Sequence, residues 1–342
     1  LKRTRTALVL NHPIRECVAR HQSNIIKMRL LMIVLFLSTL ANSNDHNFTY
    51  NGFHPSNLTL HGIAQITSKG ALKLTNNTAQ QQGHAFHPYP ITFKNSTNST
   101  ASSFSTTFVF SVAPKSKKVG GDGLAFAISP SLDFPSSLPS QFLGIFNRSN
   151  NENPVNHIVA VEIDTIYNSE FSDPNNNHIG VDINGLHSVA TSSAGYFHDS
   201  KGKFTNLSLI SRKSMQMWID YDGFQKQINV TMAPLHHKKP NSPLILMTQD
   251  LGPYLLESMY VGFSASTGSL PATFSVAGWS FTVNGQTQPL SSHLPRISPK
   301  KKSKLLQILL PIILSVSCSC GCSIGRRRVT DVNANVEIGI NS

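Results

Sequence analysis

The chain has 342 residues, of which 13% are charged and 39% are hydrophobic, and it has room for one large domain or two ordinary ones. Its formal net charge of +12 comes from the two ends, since residues 42–295 contain fourteen basic and fourteen acidic side chains. The middle of the chain therefore needs no basic face, which removes the main argument for nucleic-acid binding.

The N-terminal part of the chain carries a predicted export signal. We assign no fold to residues 1–27. Residues 28–43 begin with Met and Arg, continue with the apolar run Leu30–Leu37 and end in small and polar residues. This layout is typical of a secretory signal peptide. The apolar run is too short to span a bilayer comfortably, and its alternative interpretation is a buried strand or helix.

Residues 44–288 form the predicted folded domain. They contain none of the four cysteines, so this region must fold by burying a sizeable apolar core rather than by disulfides. Short alternating runs between turn residues are typical of a sandwich or barrel, and no stretch shows a convincing amphipathic helix. The fold class is therefore all-β. The predicted strands are Phe104–Val112, Leu124–Ile128, Val159–Asp164, His178–Ile183, Met215–Ile219, Gln227–Met232, Ser258–Ser264 and Phe274–Val283.

The same region contains potential N-glycosylation sites. An Asn-x-Ser/Thr triplet marks a possible acceptor in an exported chain. Chance produces some triplets in an Asn-rich sequence, but eight of them behind an export signal predict a glycosylated surface. The predicted acceptors are Asn47, Asn57, Asn76, Asn95, Asn98, Asn147, Asn206 and Asn229.

One segment gathers the side chains of a metal site. Glu162 and Asp164 are two residues apart on a predicted strand, so both leave the same face. Asn168, Asp173 and His178 follow within the next fourteen residues. Oxygen ligands suit calcium, and a mixed set with imidazole suits manganese or a similar ion. The alternative is a solvated charge cluster on a surface loop, which the full spacing disfavours. An EF-hand fits poorly, because a His stands where that loop needs Gly.

The C-terminal part predicts a membrane anchor. Residues 289–304 form a basic linker, and residues 305–324 are an uncharged stretch long enough to cross a hydrocarbon core as a helix. The short tail 325–342 begins near three arginines, as the positive-inside rule expects. With the signal peptide, this predicts a plasma-membrane protein whose middle domain is extracellular. If the span is not a true anchor, the protein is secreted.

The metal segment resembles the signature of the legume (L-type) lectins, a family also found as the ectodomain of plant lectin receptor kinases. The resemblance covers roughly residues 48–284 and implies an antiparallel β-sandwich of the concanavalin A-like jelly-roll type. Several motifs in the family's order support it, which makes the match more specific than any one of them. They are Phe48–Phe53, Gly121–Phe126, Phe142–Phe146, His178–Asn184, Val261–Gly268 and Trp279–Phe281.

The resemblance implies a Ca²⁺ ion and a transition-metal ion, such as Mn²⁺. The transition-metal ligands would be Glu162, Asp164, Asp173 and His178. The calcium ligands would be Asp164, Asn168, Asp173 and the carbonyl of Ile166. Ser188 matches a residue that holds a metal-bound water.

The resemblance also implies a carbohydrate or glycoconjugate as partner. Asp122 and the Asn168 amide match the groups that hydrogen-bond sugar hydroxyls, and the Gly121–Asp122 bond matches a cis peptide of the family. Asp122 would be held to calcium through a water network. Two positions depart from the pattern: Ile166 stands where many members have an aromatic residue, and Gln141 replaces a loop glycine.

Other functions remain open at this point. A glycosidase on the same fold would need a second glutamate, but the next same-face positions are Ile166 and Asn168. A truncated receptor kinase fits the order of segments, although no kinase motif occurs in the sequence. A lectin domain with a non-sugar ligand is a third possibility. We expect no enzymatic activity and allow a homodimer, which the sequons could obstruct.

Overall fold

The structure, a computed structural model, describes residues 21, 25, 27–29, 47–95, 100–116, 119–198 and 202–297. Up to the predicted metal loop the strands are β1 (Phe48–Tyr50), β2 (Thr59–Gly62), β3 (Gln65–Ile66), β4 (Leu72–Lys73), β5 (Gln81–Phe86), β6 (Ile91–Thr92), β7 (Phe104–Pro114), β8 (Gly123–Ser129) and β9 (Val159–Asp164). The later strands are β10 (His178–Ile183), β11 (Ala190–Ser193), β12 (Gly195–Phe197), β13 (Phe204–Asn206), β14 (Met215–Asp222), β15 (Gln227–Pro234), β16 (Ile245–Thr248), β17 (Ser258–Thr267) and β18 (Ala272–Val283). Short 3-10 helices cover Pro55–Asn57, Ser140–Phe142, Pro154–Asn156, Ser169–Phe171 and Leu209–Ser211.

Within the described residues, the strands build two eight-stranded antiparallel sheets. The front sheet has the order β11-β10-β9-β8-β17-β5-β2, with β6 also paired to β17. The back sheet has the order β16-β15-β14-β7-β18-β4-β3, with β1 also paired to β18. Strands β12 and β13 form a separate ribbon. The predicted all-β antiparallel sandwich is confirmed.

Aromatic side chains fill the space between the sheets. Phe108 and Phe110 alternate along β7 and are fully buried, and they face Phe126 and Phe263 of the front sheet. The ring of Trp279 lies 4.8 Å from that of Phe263 in an edge contact. Burying each such side chain contributes about 1.5–3 kcal/mol. This core replaces the disulfides that the middle of the chain lacks.

Replacing Thr106 by Val is expected to destabilise the domain by about 1–3 kcal/mol. The indole Nε1 of buried Trp279 donates to Thr106 Oγ1 at 2.9 Å, and valine would leave this donor without its acceptor. Urea unfolding measures the change in free energy. Thr191→Val on exposed β11 is the control and is expected to change it by less than about 0.5 kcal/mol. Equal unfolding midpoints for Thr106→Val and the unchanged protein would contradict the prediction.

A second apolar cluster lies on the outer face of the front sheet. Small side chains of β8 and β9, including Ala125, Ala127 and Ala160, pack there against Phe142 and Phe146. Because alanines leave room above the sheet, the loop of residues 130–152 approaches it closely. This packing places the 3-10 helix Ser140–Phe142 at the end of the sheet where the predicted site lies.

The residues after β18 turn back onto the sandwich. Ser291 N donates to Asn51 Oδ1 at 2.7 Å. A Cβ atom at Gly278 would lie 2.7 Å from Leu294 Cδ2, and one at Gly52 would lie 3.0 Å from Pro295 Cγ. The start of the segment that the sequence assigns to a linker therefore packs beside β1 and β18.

All eight predicted strands are present, and several are longer than predicted. Strand β14 continues past its predicted end at Ile219 to Asp222, and β17 continues past Ser264 to Thr267. Strands β1–β6, β11–β13 and β16 were not predicted, because most have only two to four residues and show no alternation. The signal peptide lies almost wholly, and the membrane span wholly, outside the described residues. Among the residues that the structure does describe, no helix is long and apolar enough to cross a bilayer.

Candidate functional site

Two neighbouring strands bring the predicted metal ligands together. Strands β9 and β10 are antiparallel, with His178 opposite Asp164 and Gly180 opposite Glu162. Since Glu162, Asp164 and His178 share one face, the short loop between the strands folds two carboxylates against one imidazole. Val161 and Ile163 point the other way, into the core between the sheets. Both acidic side chains are buried. This burial argues against the alternative interpretation of a solvated charge cluster on a surface loop.

The four predicted transition-metal ligands form one tight group. One ligand atom from each of Glu162, Asp164, Asp173 and His178 lies within 4.8 Å of the others. His178 Nε2 is 3.3 Å from Glu162 Oε1 and 3.8 Å from Asp173 Oδ1. The other ring nitrogen, Nδ1, lies 2.7 Å from the carbonyl of Asn175. Such a hydrogen bond fixes the orientation of a metal-binding imidazole.

The loop between β9 and β10 carries the remaining predicted ligands. Ile166 N donates to Asp164 Oδ1 at 2.6 Å, and Asn168 N donates to Asp173 Oδ2 at 2.7 Å. The same two carboxylates that are predicted to bridge the ions therefore hold the loop backbone. Among the described residues, buried Asn168 Nδ2 finds no partner at normal hydrogen-bond distance, although the amide lies close enough to Asp173 to favour the charged form of that carboxyl. An unpaired buried donor is costly, and it marks a position where a ligand atom is expected.

Two further polar side chains adjoin the group. Ser188 Oγ lies 2.8 Å from Glu162 Oε1 and 2.6 Å from Asp182 Oδ1. A hydroxyl has one proton, so it cannot donate to both carboxylates at once. The sequence predicted Ser188 but missed Asp182, which is 1% exposed. The available signal was position, because Asp182 shares a strand face with His178.

Burial and mutual repulsion dominate the electrostatics of these acids. Burial, followed by the charge of Glu162, raises the pKa values of Asp164 and Asp182 well above the usual range. Burial raises the pKa of Asp173 as well. For His178, burial alone would lower the pKa, but the hydrogen bond and charge of Glu162 outweigh it, and the pKa is raised. Without cations, the site therefore favours bound protons.

The acidic group is expected to contribute more stability to the metal-free domain as the pH falls from about 8 to about 5. A raised carboxyl pKa means that the folded state binds protons that the unfolded state releases, and the raised pKa of His178 acts in the same direction. Burial lowers the pKa values of His84 and His87 from 6.5 to about 4, which acts in the opposite direction. Thermal melts of the unchanged domain and of Asp164→Asn in excess chelator therefore isolate the effect, and the variant should gain stability relative to the unchanged domain as the pH rises. A difference in melting temperature that is the same at both ends of this pH range would contradict the prediction.

Asp122 lies beside the metal group, at the start of β8. Thr165 N, just after β9, donates to the carbonyl of Asp122 at 2.9 Å. The side chain is buried, which raises its pKa. The expectation of a cis Gly121–Asp122 bond is wrong, since the described residues contain no cis peptide. The trans form of a non-proline bond is favoured by about 3–4 kcal/mol, and Asp122 reaches its hydrogen-bond partners in that form.

The two departures from the family pattern lie beside Asp122 and Asn168. Gln141 Nε2 donates to Glu170 Oε1 at 2.9 Å, so this side chain ties the loop of residues 130–152 to the metal loop. Phe142 and Phe171 make a second link, with ring centroids 5.8 Å apart. Ile166 is half-buried, and its neighbour Tyr167 is 55% exposed. The exposed aromatic of this loop is therefore at 167 rather than 166.

The predicted glycosylation sites differ in exposure. Asn47, Asn95 and Asn206 are exposed, whereas Asn57, Asn76, Asn147 and Asn229 are half-buried, and Asn98 lies outside the described residues. Asn147 is engaged locally, since its Nδ2 donates to the carbonyl of Ser136 at 2.9 Å. The exposed asparagines are the better acceptors in the folded domain, because their amides are accessible. Their modification stays a prediction.

The family model for the legume lectin domain matches residues 45–295. The chain belongs to the legume lectin domain family. Its curated relatives include the L-type lectin-domain containing receptor kinase IV.2 of Arabidopsis thaliana, which is 48% identical over 296 residues. That match covers 84% of this chain and 44% of the relative. The chain thus spans less than half the length of this receptor kinase.

Solved legume lectins share the fold. Lectin II from Ulex europaeus matches with a TM-score of 0.60 and 28% identity, over 71% of this chain and 100% of that one. The lectin from Bauhinia forficata in complex with GalNAc matches with a TM-score of 0.58 and 27% identity, over 70% of this chain and 98% of that one.

The side chains of this legume lectin domain fit a divalent cation site. Three carboxylates and one imidazole converge, and burial followed by repulsion from Glu162 raises the pKa values of Asp164 and Asp173. Cations remove such repulsion. The donor set is oxygen-rich with one nitrogen, which suits Ca²⁺ together with Mn²⁺ or a similar ion.

Proposed function

We propose that the legume lectin domain of this chain binds a carbohydrate or glycoconjugate, at a site that Ca²⁺ and Mn²⁺ (or a similar transition metal) organise. The main observation behind this proposal is the unpartnered, buried Nδ2 of Asn168. Asn168 lies in the loop that the acidic group holds, next to the element that carries Asp122. An amide donor and a carboxylate acceptor suit sugar hydroxyls, which both donate and accept. The complex of the Bauhinia forficata lectin with GalNAc supports this chemistry.

The proposed ligands are divided between the two ions, and two of the carboxylates would serve both. Glu162, Asp164, Asp173 and His178 would hold the transition metal, and Asp164, Asn168, Asp173 and the carbonyl of Ile166 would hold calcium. Ser188 would hold a metal-bound water. When bound, the cations would neutralise the buried carboxylates. The loop between β9 and β10 would hold the Asn168 amide in position before a sugar binds. Sugar binding would then not have to provide the free energy for ordering this side chain.

We also propose that the domain is displayed outside the cell at the plasma membrane. The similarity to receptor kinases with L-type lectin domains supports this placement. Residues 305–324 would be the anchor, with residues 325–342 on the cytoplasmic side and some of the eight sequons carrying glycans. The chain itself is proposed to act by binding rather than by catalysis.

A glycan array probed with the full chain tests the proposal. We expect binding to a restricted set of glycans with Ca²⁺ and Mn²⁺ present, and loss of that binding in excess chelator that returns when both ions are restored. Retained binding in chelator would refute the metal part of the proposal. An array without signal in the presence of both ions would refute saccharide binding.

A second candidate is a lectin domain that binds an apolar or protein ligand at the same place. The aliphatic Ile166 beside the exposed Tyr167 favours it, because an aliphatic side chain stacks less well on a sugar than a ring does. Pull-down from cell walls and membranes, compared with the array, separates the two candidates. Capture that survives competition with free glycans would favour the second.

A further inference from the structure

The carboxylate of Asp122 is already hydrogen-bonded on both oxygens. Ser140 Oγ donates to Oδ1 at 2.9 Å, and Gly268 N donates to Oδ2. Asp122 is 5% exposed. A saccharide hydroxyl that approaches this acceptor therefore meets the serine hydroxyl, which occupies the Oδ1 side.

The backbone of Ser140 is held in an unusual conformation. Its φ of 67° lies in the left-handed region, which residues other than glycine rarely adopt. Ser266 Oγ donates to the carbonyl of Ser140 at 2.5 Å, and Leu143 N donates to the same carbonyl at 3.0 Å. These bonds and the bond to Asp122 keep the serine in place. Strained backbone held by its surroundings is typical of functional positions.

Gly268 leaves no spare room around this contact. A Cβ atom at Gly268 would overlap Ser140 Oγ and would lie 2.9 Å from Asp122 Oδ2. Asp122, Ser140 and Gly268 therefore form a close-fitting trio, which we call the Asp122 clasp. The clasp joins three elements at one end of the front sheet: the start of β8, the 3-10 helix Ser140–Phe142 and the end of β17.

We propose that Ser140 determines the affinity and selectivity of the saccharide site by competing with the ligand for Asp122 Oδ1. This inference rests on the proposed function. A ligand hydroxyl must either replace the serine hydroxyl or share the oxygen with it, so binding exchanges one hydrogen bond for another. The exchange gains less than a new hydrogen bond to an open carboxylate. Saccharides that present no hydroxyl to Oδ1 leave the serine bond intact and lose nothing there, so the serine narrows the difference in affinity between the two kinds of saccharide.

Removing the serine hydroxyl tests the clasp. Ser140→Ala opens Oδ1 to the ligand, and about tenfold tighter binding is expected, since a net hydrogen bond to a charged group is worth roughly that factor or more. Ser140→Gly should act in the same direction and also suits the left-handed backbone. The matched control is Ser137→Ala in the same loop, whose Oγ donates to the carbonyl of Phe134 at 2.7 Å and does not touch Asp122.

The measurement is calorimetric titration of the full chain and its variants with galactose, N-acetylgalactosamine, mannose and glucose, in Ca²⁺ and Mn²⁺. The expected result is tighter binding by both Ser140 variants, unchanged binding by Ser137→Ala and none by Asp122→Asn. If Ser140→Ala binds equally or more weakly while Asp122→Asn still abolishes binding, the inference is overturned and the proposed function stands. If the unchanged chain binds neither these four sugars nor any glycan of the array in Ca²⁺ and Mn²⁺, both are overturned.

Discussion

Replacing Asp164 by Asn is expected to abolish saccharide binding and to raise the melting temperature of the chelated domain. Asp164 is 4% exposed and belongs to the proposed sets of both ions. Its loss removes a shared ligand, so the Asn168 loop loses its organising cations. Without metal, however, the substitution removes a buried charge that Glu162 repels. Asparagine keeps an acceptor for Ile166 N, which limits the structural damage.

Two sets of measurements check the two expected effects of Asp164→Asn separately. Mass spectrometry of the metal content and calorimetry with the glycan found on the array test the loss of binding. Thermal melts in chelator test the rise in melting temperature. Asp133→Asn is the control, because Asp133 is half-exposed and pairs with His61, away from the acidic group. It is expected to keep wild-type binding. Retained sugar binding by Asp164→Asn would refute the shared-ligand role. A lower melting temperature of Asp164→Asn in chelator would show that repulsion between the buried carboxylates does not limit the stability of the metal-free domain.

Replacing Gly180 by Ala is expected to weaken metal binding by about ten- to a hundred-fold, although Gly180 supplies no ligand atom. An added Cβ would overlap Ser188 Oγ and would lie 2.5 Å from Glu162 Oε1. Because Gly180 stands opposite Glu162 on the paired strand, the methyl group would push this carboxylate out of the group. Saccharide binding should then fail at limiting metal and recover when the ions are in excess.

The recovery separates a displaced ligand from an unfolded domain, because a misfolded variant would not regain binding. Gly285→Ala is the matched control, since a Cβ there meets nothing closer than Thr282 Cγ2 at 3.2 Å. Calorimetric titration with Mn²⁺ measures the affinities. If Gly180→Ala binds Mn²⁺ with the affinity of the unchanged protein, metal binding does not depend on the present position of the Glu162 carboxylate.

Asp122 and Asp164 show how the site depends on the rest of the sandwich. Strand β8 lies between β9 and β17, with Gly123 opposite Asp164 and Ser266 opposite Gly123. The sheet therefore sets Asp122 next to the metal group on one side and next to the end of β17 on the other. If both proposals hold, metals order the Asn168 side of the sugar site while the clasp controls the Asp122 side.

The sequence by itself determined the elements whose signals are local. Alternation with period two predicted β7, β9 and β10, because each strand exposes one face to the core between the sheets. The metal group could be predicted as well, since Glu162 to His178 span one antiparallel strand pair and its loop, and strand geometry alone brings such residues together. The family's motifs then predicted Asp122, and the family match confirmed the membership.

Only the tertiary structure decided what Asp122 contacts. Gly268 is 146 residues away in the chain and Ser140 is 18 residues away, and no periodicity reports such a pairing. It depends on the order of strands in the front sheet and on the loop of residues 130–152, which packs over alanines on the sheet's outer face. Alternation in the sequence predicts which face of a strand a side chain occupies. The order of the strands and the packing of the loop determine which distant residues meet on that face. The Asp122 clasp could therefore be found only in the tertiary structure.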